Sequence, residues 1–229
     1  MKLLGVGSNA KTIKSDSGGE YLTAIMYLAP AREHGTDSKM TMCPSSTEGC
    51  EEGCLYTAGR GNMANVKRAR VSKSSLFIAD RKAFLSQLHT EIAAFEKKCI
   101  KKNVQPVVRL NGTSDLPWES FSQSLIEAFP STQYYDYTKT WKRSHKLPVN
   151  YHLTLSRGEN TPDSHVDKAV KSGHNVAVVF RDVILPTTWR GHRVIDGDVN
   201  DLRFLDPKGV IVGLRAKGDA KKDTSGFVI

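Results

Sequence analysis

The chain has 229 residues, 39% of them hydrophobic and 25% charged, with a formal net charge of +9. That length supports one substantial core and argues for a single α/β domain over 1–229 rather than several. No apolar run approaches the length of a bilayer span, Met1-Lys2-Leu3-Leu4-Gly5 is followed by polar residues, and no like-charge or Pro-rich block marks disorder. The expectation is a folded protein that stays in the cytoplasm, has no membrane partner and keeps its cysteines reduced.

In chain order, Tyr21 to Ala29 (YLTAIMYLA) is rich in β-formers and ends at Pro30, as a strand leading into a loop does. That loop carries a cysteine-rich segment, 42–56. From Ser74 to Lys102 the recurrence of Phe77, Phe84, Leu88, Ile92 and Phe95 at three- and four-residue spacings predicts one long amphipathic helix. Pro106 to Leu110 reads as a short strand, Asn111 to Asp115 as a polar loop, and Pro117 as a helix start capped by Ser114 or Asp115. Gln133 to Tyr137, Tyr151 to Leu155 and Val176 to Phe180 read as further strands, with a helix near Asp163 to Ser172 before the last. Val176-Ala177-Val178-Val179-Phe180 is apolar on both faces, as in a buried parallel strand. Arg193 to Ile195 and Val210 to Leu214 close the series. Alternating strands and helices predict an α/β fold with a mostly parallel sheet, an incomplete (βα) barrel of about six strands; an open doubly wound sheet reads much the same.

The cysteine loop is the most informative segment. Cys43, Cys50 and Cys54 lie within twelve residues, broken by Pro44, Gly49 and Gly53, so the chain can bend their sulfurs toward one centre. Thiolates select zinc, copper(I) or iron–sulfur clusters. Structural zinc wants four closed ligands, and no second Cys-x-x-Cys or His pair stands nearby, although His34 or a carboxylate could complete such a site. A cubane [4Fe–4S] cluster with one open iron needs three cysteines, and that reading is preferred over zinc and over plain buried thiols. Cys99 follows Phe95 by four residues on the apolar stripe of the helix, so it reads as core.

In parallel α/β folds, ligands gather at the carboxyl ends of strands. Asn111, Thr113, Ser114 and Asp115 follow one strand, Asp136 and Lys139 the next, and Ser156 and Arg157 the one after. Asp115 and Lys139 are the catalytic candidates; Asn111, Thr113, Ser114, Asp136, Ser156 and Arg157 are the cofactor-binding candidates. Asp196-Gly197-Asp198 with Asp201 could take a divalent cation but reads better as turn chemistry.

These segments carry a resemblance. Cys43-Pro44 through Cys54-Leu55 with Ala58-Gly59-Arg60, Val108 through Asp115, Tyr135 through Lys139, and Asp196-Gly197-Asp198 with Asp201-Leu202-Arg203 resemble the "gene product eighty-eight" family of phage and plasmid proteins. The resemblance covers most of the chain, implies a host-cell cytoplasmic location, and speaks to fold and cluster more than to a reaction. More distantly, the order of strand, cysteine loop, long helix and second strand is similar to that of radical S-adenosylmethionine enzymes. In those enzymes a three-cysteine [4Fe–4S] cluster follows the first strand of a partial barrel. The likeness implies S-adenosylmethionine as a cofactor, with Asn111 to Asp115 where that family contacts its methionine part. The spacing here is Cys-x6-Cys-x3-Cys rather than Cys-x3-Cys-x2-Cys, and Asn-Gly-Thr-Ser-Asp replaces a glycine-rich acidic motif.

The combined expectation is an iron–sulfur enzyme using a radical or open-iron site. Basic groups at Arg60, Lys67, Arg68, Arg70 and Lys73, at Lys97, Lys98, Lys101 and Lys102, and at Lys139, Lys142, Arg143, His145 and Lys146 suit a nucleotide or nucleic acid substrate. The alternative is a non-catalytic nucleic-acid-binding protein in which a metal staples the loop. The residues imply no oligomeric state.

Overall fold

Alternating strands and helices in the sequence become, among the described residues, one sheet of nine strands with seven α-helices. The computed structural model describes residues 1–7, 10–145 and 147–229, so Lys146 of the third basic group lies outside the described residues. β1 (Leu4–Val6) pairs antiparallel with β2 (Tyr21–Met26). Parallel pairings then run from β2 through β3 (Gln105–Arg109), β4 (Gln133–Thr138), β5 (Tyr151–Ser156) and β6 (Val176–Phe180) to β9 (Ile211–Arg215). β8 (His192–Asp196) lies parallel on the far side of β9, and β7 (Thr188–Trp189) closes that edge as an antiparallel partner of β8. The strand order is β1-β2-β3-β4-β5-β6-β9-β8-β7, and no ladder joins β1 to β7 among the described residues.

Nine strands replace the expected six or so. The unforeseen edge strands β1 and β7 have three and two residues, too short for a period of two to register. The long helix is likewise two helices, α3 (Ala64–Ala79) and α4 (Arg81–Lys102), following α1 (Ala10–Asp16) and α2 (Glu48–Glu52). Asp80 divides them: its backbone leaves the helical region at φ −145°, and its carboxylate accepts from the Ala83 N–H at 2.9 Å, capping α4. Asp80→Ala is expected to cost about 1 kcal/mol, the usual worth of an N-cap carboxylate, read as a lower urea midpoint with unchanged slope.

Helices α3 and α4 cover one sheet face. Phe77, Phe84, Leu88, Ile92 and Phe95 pack against Ala24, Met26, Val108 and Tyr134, all buried, and fully buried Cys99 belongs to the same cluster, its thiol pushed up to about 11 by burial. Alternate residues Val107 and Tyr135 face the other way and are buried with Leu202. A second cluster joins α7 (Asp163–Lys171), through Val166, Ala169 and Val170, to Val176, Val178, Phe180 and Ile211. Strands β2 to β6 are therefore buried on both faces where the sequence is continuously apolar. Pro117 precedes α5 (Trp118–Phe121), which α6 (Gln123–Glu127) follows, but neither Ser114 nor Asp115 caps it, because both side chains are drawn into the site described below. Among the described residues no helix is long and apolar enough to cross a membrane.

Candidate functional site: a cavity walled by three cysteines

Because β2 to β6 and β9 run parallel, their carboxyl ends open on the same side, and a cavity of about 210 Å³ lies there. Cys43, Cys50 and Cys54 line one part of its wall. Asn111 to Asp115 from the loop after β3, Thr138 and Lys139 from the end of β4, Ser156 from the end of β5 and Arg215 from β9 line the rest. Of the expected site residues, Asp136 and Arg157 stand behind this wall.

The cysteine loop is pinned from several sides. The Ala31 N–H points at the Cys43 sulfur, 3.4 Å away, and the Thr113 carbonyl lies 3.9 Å from that sulfur. Helix α2, which carries Cys50, is capped from a distance: Glu159, just beyond β5, accepts from the Gly49 N–H at 2.8 Å and from the Thr47 hydroxyl at 2.5 Å. Gly49 lies so close to the segment 225–227 that an added Cβ would stand 2.0 Å from Ser225 Oγ and 2.7 Å from Phe227 Cβ. Gly49→Ala is expected to destabilise the protein by about 1–3 kcal/mol through overpacking and to displace Cys50, visible as a changed rate of Cys50 alkylation.

Burial pushes all three thiols up, Cys43 to about 12, Cys54 to about 11 and Cys50 in the same direction, with neighbouring cysteines adding to the rise at Cys43 and Cys54. Such thiols stay protonated until a metal replaces the proton. Two cations counter the rise. Lys139 favours the Cys50 thiolate, and Arg70 that of Cys54. Arg70 is 7% exposed and stacks on Tyr27 and Tyr56 at 5.0 and 5.3 Å, yet its Nε and Nη1 have no hydrogen-bond partner among the described residues.

No three His, Cys, Asp or Glu side chains among the described residues form a group that could hold a metal ion. His34 is no spare ligand: it is 1% exposed, its Nε2 meets the Met40 carbonyl at 2.8 Å and its Nδ1 the Thr36 hydroxyl at 2.9 Å. The carbonyl can only accept, so Nε2 carries the proton.

Behind the wall, Asn111 uses its whole amide. Its oxygen accepts from Ser114 Oγ, the Leu116 N–H and Trp118 Nε1 at 2.9, 2.9 and 3.1 Å; its nitrogen donates to the Leu116 carbonyl and Asp136 at 3.0 and 3.2 Å. Asp136, fully buried, also accepts from the Asn111 N–H at 2.7 Å and from Tyr151 Oη at 2.7 Å. Burial raises its carboxyl from the usual aspartate range to about 7, against the lowering effect of those donors. A carboxyl whose folded value lies above its unfolded one holds its proton more tightly when folded, so its contribution is complete below the unfolded value and is lost as pH rises to about 7. Stability is therefore expected to decline between about pH 4 and pH 7, and Asp136→Asn to flatten that decline in urea titrations across the range.

A second network holds Asp115. One of its oxygens accepts from Arg143 at 2.6 Å and the other from the Lys139 backbone N–H at 2.8 Å, while Arg143 forks onto Glu119 at 2.7 and 2.8 Å. Thr113 donates to the Leu28 carbonyl at 2.5 Å. The Lys139 ammonium donates to Ser156 Oγ and the Arg157 carbonyl at 3.0 and 2.8 Å, whereas the Arg157 guanidinium reaches the Gly226 and Phe227 carbonyls at 2.8 and 3.4 Å.

The acidic segment after β8 holds no open cation cage. Asp196 and Asp198 pair with Arg215 at 2.9 and 3.3 Å, and Asp198 also with Lys217. Asp201 is buried against Arg109 at 2.8 Å and accepts from Tyr135 Oη at 2.9 Å. Sequence reasoning missed Glu159, Glu119, Arg143 and Arg109 as site-shaping residues. The carboxylate, guanidinium and helix-cap partners that give them these roles lie 24 to 112 positions away, beyond any local pattern.

The model of one protein family, Gene product 88, matches residues 1–229. The chain belongs to the Gene product 88 family. Neither the curated proteins nor the solved structures contain a match. In this Gene product 88 protein the four resembling segments converge in space: 43–55 and 108–115 wall the cavity, 135–139 ends on it, and 196–203 supplies Asp198 to its rim and Asp201 to the ion pair behind it.

Proposed function

We propose that Cys43, Cys50 and Cys54 hold a [4Fe–4S] cluster with one iron open to the cavity, in an enzyme of phage or mobile-element type. The observation that carries this reading is the arrival of all three loop thiols on the wall of one cavity at the carboxyl end of a parallel sheet. The consecutive order of β2 to β6 suits an incomplete barrel around that cavity.

The donor set fits the group. Three soft thiolates suit iron and sulfide, and Lys139 and Arg70 are placed to offset thiolate charge. With metal–sulfur bonds of about 2.3 Å, thiolates on a single ion crowd within about 4 Å of one another. A cubane spreads its ligands further than a single ion does, and the three thiols share the wall of one cavity. When bound, the cluster supplies an open iron or a one-electron donor at the cavity.

The chain's own residues do the rest. Glu159 fixes α2 and with it Cys50; Asp115 holds the backbone at Lys139; Lys139 sets its Nζ at the cavity against Ser156 Oγ and the Arg157 carbonyl; and the segment 225–227 packs on the cysteine helix at Gly49. S-adenosylmethionine, if used, would meet the wall from Gly112 to Asp115, beside Cys43. Anaerobic purification followed by visible and electron paramagnetic resonance spectra tests the reading. A broad visible absorption that bleaches on reduction, with a resonance signal that changes when S-adenosylmethionine is added, supports the radical form; bleaching without that change supports open-iron chemistry. A colourless protein, or one holding zinc, overturns both.

A further inference from the structure

We propose that the cavity binds a small anionic molecule, a carboxylate or phosphate carried on an apolar body, with Lys139 as its anion anchor. The inference rests on reading this cavity as the reaction chamber, but not on the cluster. Its first ground is charge. The lining carries four cationic side chains, Arg109, Lys139, Arg215 and Lys217, against two carboxylates, Asp115 and Asp198.

Three of the four cations are already matched. Arg109 pairs with Asp201 at 2.8 Å, Arg215 with Asp196 and Asp198, and Lys217 with Asp198. Lys139 differs. Its ammonium donates only to neutral oxygens, Ser156 Oγ and the Arg157 carbonyl, and no carboxylate lies within ion-pair distance among the described residues. An ammonium takes three acceptors; two are these oxygens, and its further contact is the face of the Phe227 ring, which carries no net charge to balance it. A sheltered cation without a carboxylate partner has lost hydration that the Coulombic attraction of an entering anion offsets, so the site favours one negative group.

The second ground is shape and polarity. The same cavity is lined by Leu55, Val179, Leu214, Ala220 and Phe227, and the Phe227 ring centre lies 4.8 Å from the ammonium. An inorganic ion would leave that apolar wall bare. A ligand with an anionic head and an apolar or aromatic body uses both parts.

Calorimetric titration of the protein as purified, at constant ionic strength, with benzoate and with phenyl phosphate, tests the proposal and separates carboxylate from phosphate heads. Saturable binding of either is expected, weakened at least tenfold in Lys139→Met, largely kept in Lys139→Arg, and changed less than threefold in Lys217→Met, whose charge is spent on Asp198. Thermal melts confirm that each variant is folded, and Lys139→Arg serves where Lys139→Met is not. No saturable binding of either probe, or equal binding by Lys139→Met, overturns the proposal. Iron content is measured on the same samples: binding in metal-free protein leaves the anion site standing while the cluster reading falls, and the reverse result does the opposite.

Discussion

Replacing Cys43, Cys50 or Cys54 by Ala is expected to remove the cluster, each change alone lowering bound iron more than tenfold, while Cys99→Ala leaves iron unchanged. The asymmetry follows from position. The first three thiols face one cavity, and Cys99 is fully buried between α4 and the sheet, among Phe95, Leu88 and their neighbours. Losing a direct thiolate ligand from a three-thiolate site leaves two irons of four without a protein donor, a larger loss than the about 10–100-fold typical of outer-sphere changes. Cys99→Ala removes only a small buried group, so its cost is about 1 kcal/mol of stability through a residual cavity. Iron and sulfide assays on the four variants, with urea melts alongside, check both halves. Loss of iron on changing Cys99 would make it a ligand and would contradict the packing.

Arg143→Met is expected to cost about 3–5 kcal/mol, the largest effect of any single change outside the cysteine loop, because it strands two buried carboxylates. Arg143 lies between Asp115 and Glu119, with both partners nearly excluded from water, and no other cation reaches either carboxylate within ion-pair distance among the described residues. Desolvated charge without a partner is costly, whereas removing both signs together is not. The double variant Arg143→Met with Glu119→Gln is therefore expected to recover part of the loss, and urea unfolding of the single and double variants reads it. The site should suffer as well. Asp115 holds the Lys139 backbone N–H at 2.8 Å, so freeing Asp115 loosens the cavity wall at Lys139 and weakens anion binding there.

The sequence made the backbone plan legible wherever pattern length exceeded noise. The apolar run Val176 to Phe180, the β-formers from Tyr21 and the helical stripe from Phe77 to Phe95 all became buried elements. Composition alone hid the break at Asp80, because its cap depends on one carboxylate meeting one N–H three residues on, inside a stripe that continues across it. The cysteines and the strand-end residues were legible as a group because parallel sheets gather such loops at one end.

What individual side chains do there was not legible. Asn111 donates to Asp136 and spends its amide oxygen on Ser114, Leu116 and Trp118, Asp115 serves Arg143, and Glu159 caps a helix more than a hundred residues earlier in the chain. Each of those pairings is decided by tertiary approach. The Asp196 to Asp201 segment shows the same limit: a turn in the sequence, it supplies Asp198 to two cations at the cavity rim and Asp201 to a buried arginine.

The most direct measurement is iron and acid-labile sulfide per chain in protein purified without oxygen. The account predicts about four of each, the content of one cubane. A chain holding one zinc, or neither iron nor sulfide after reconstitution, would contradict it.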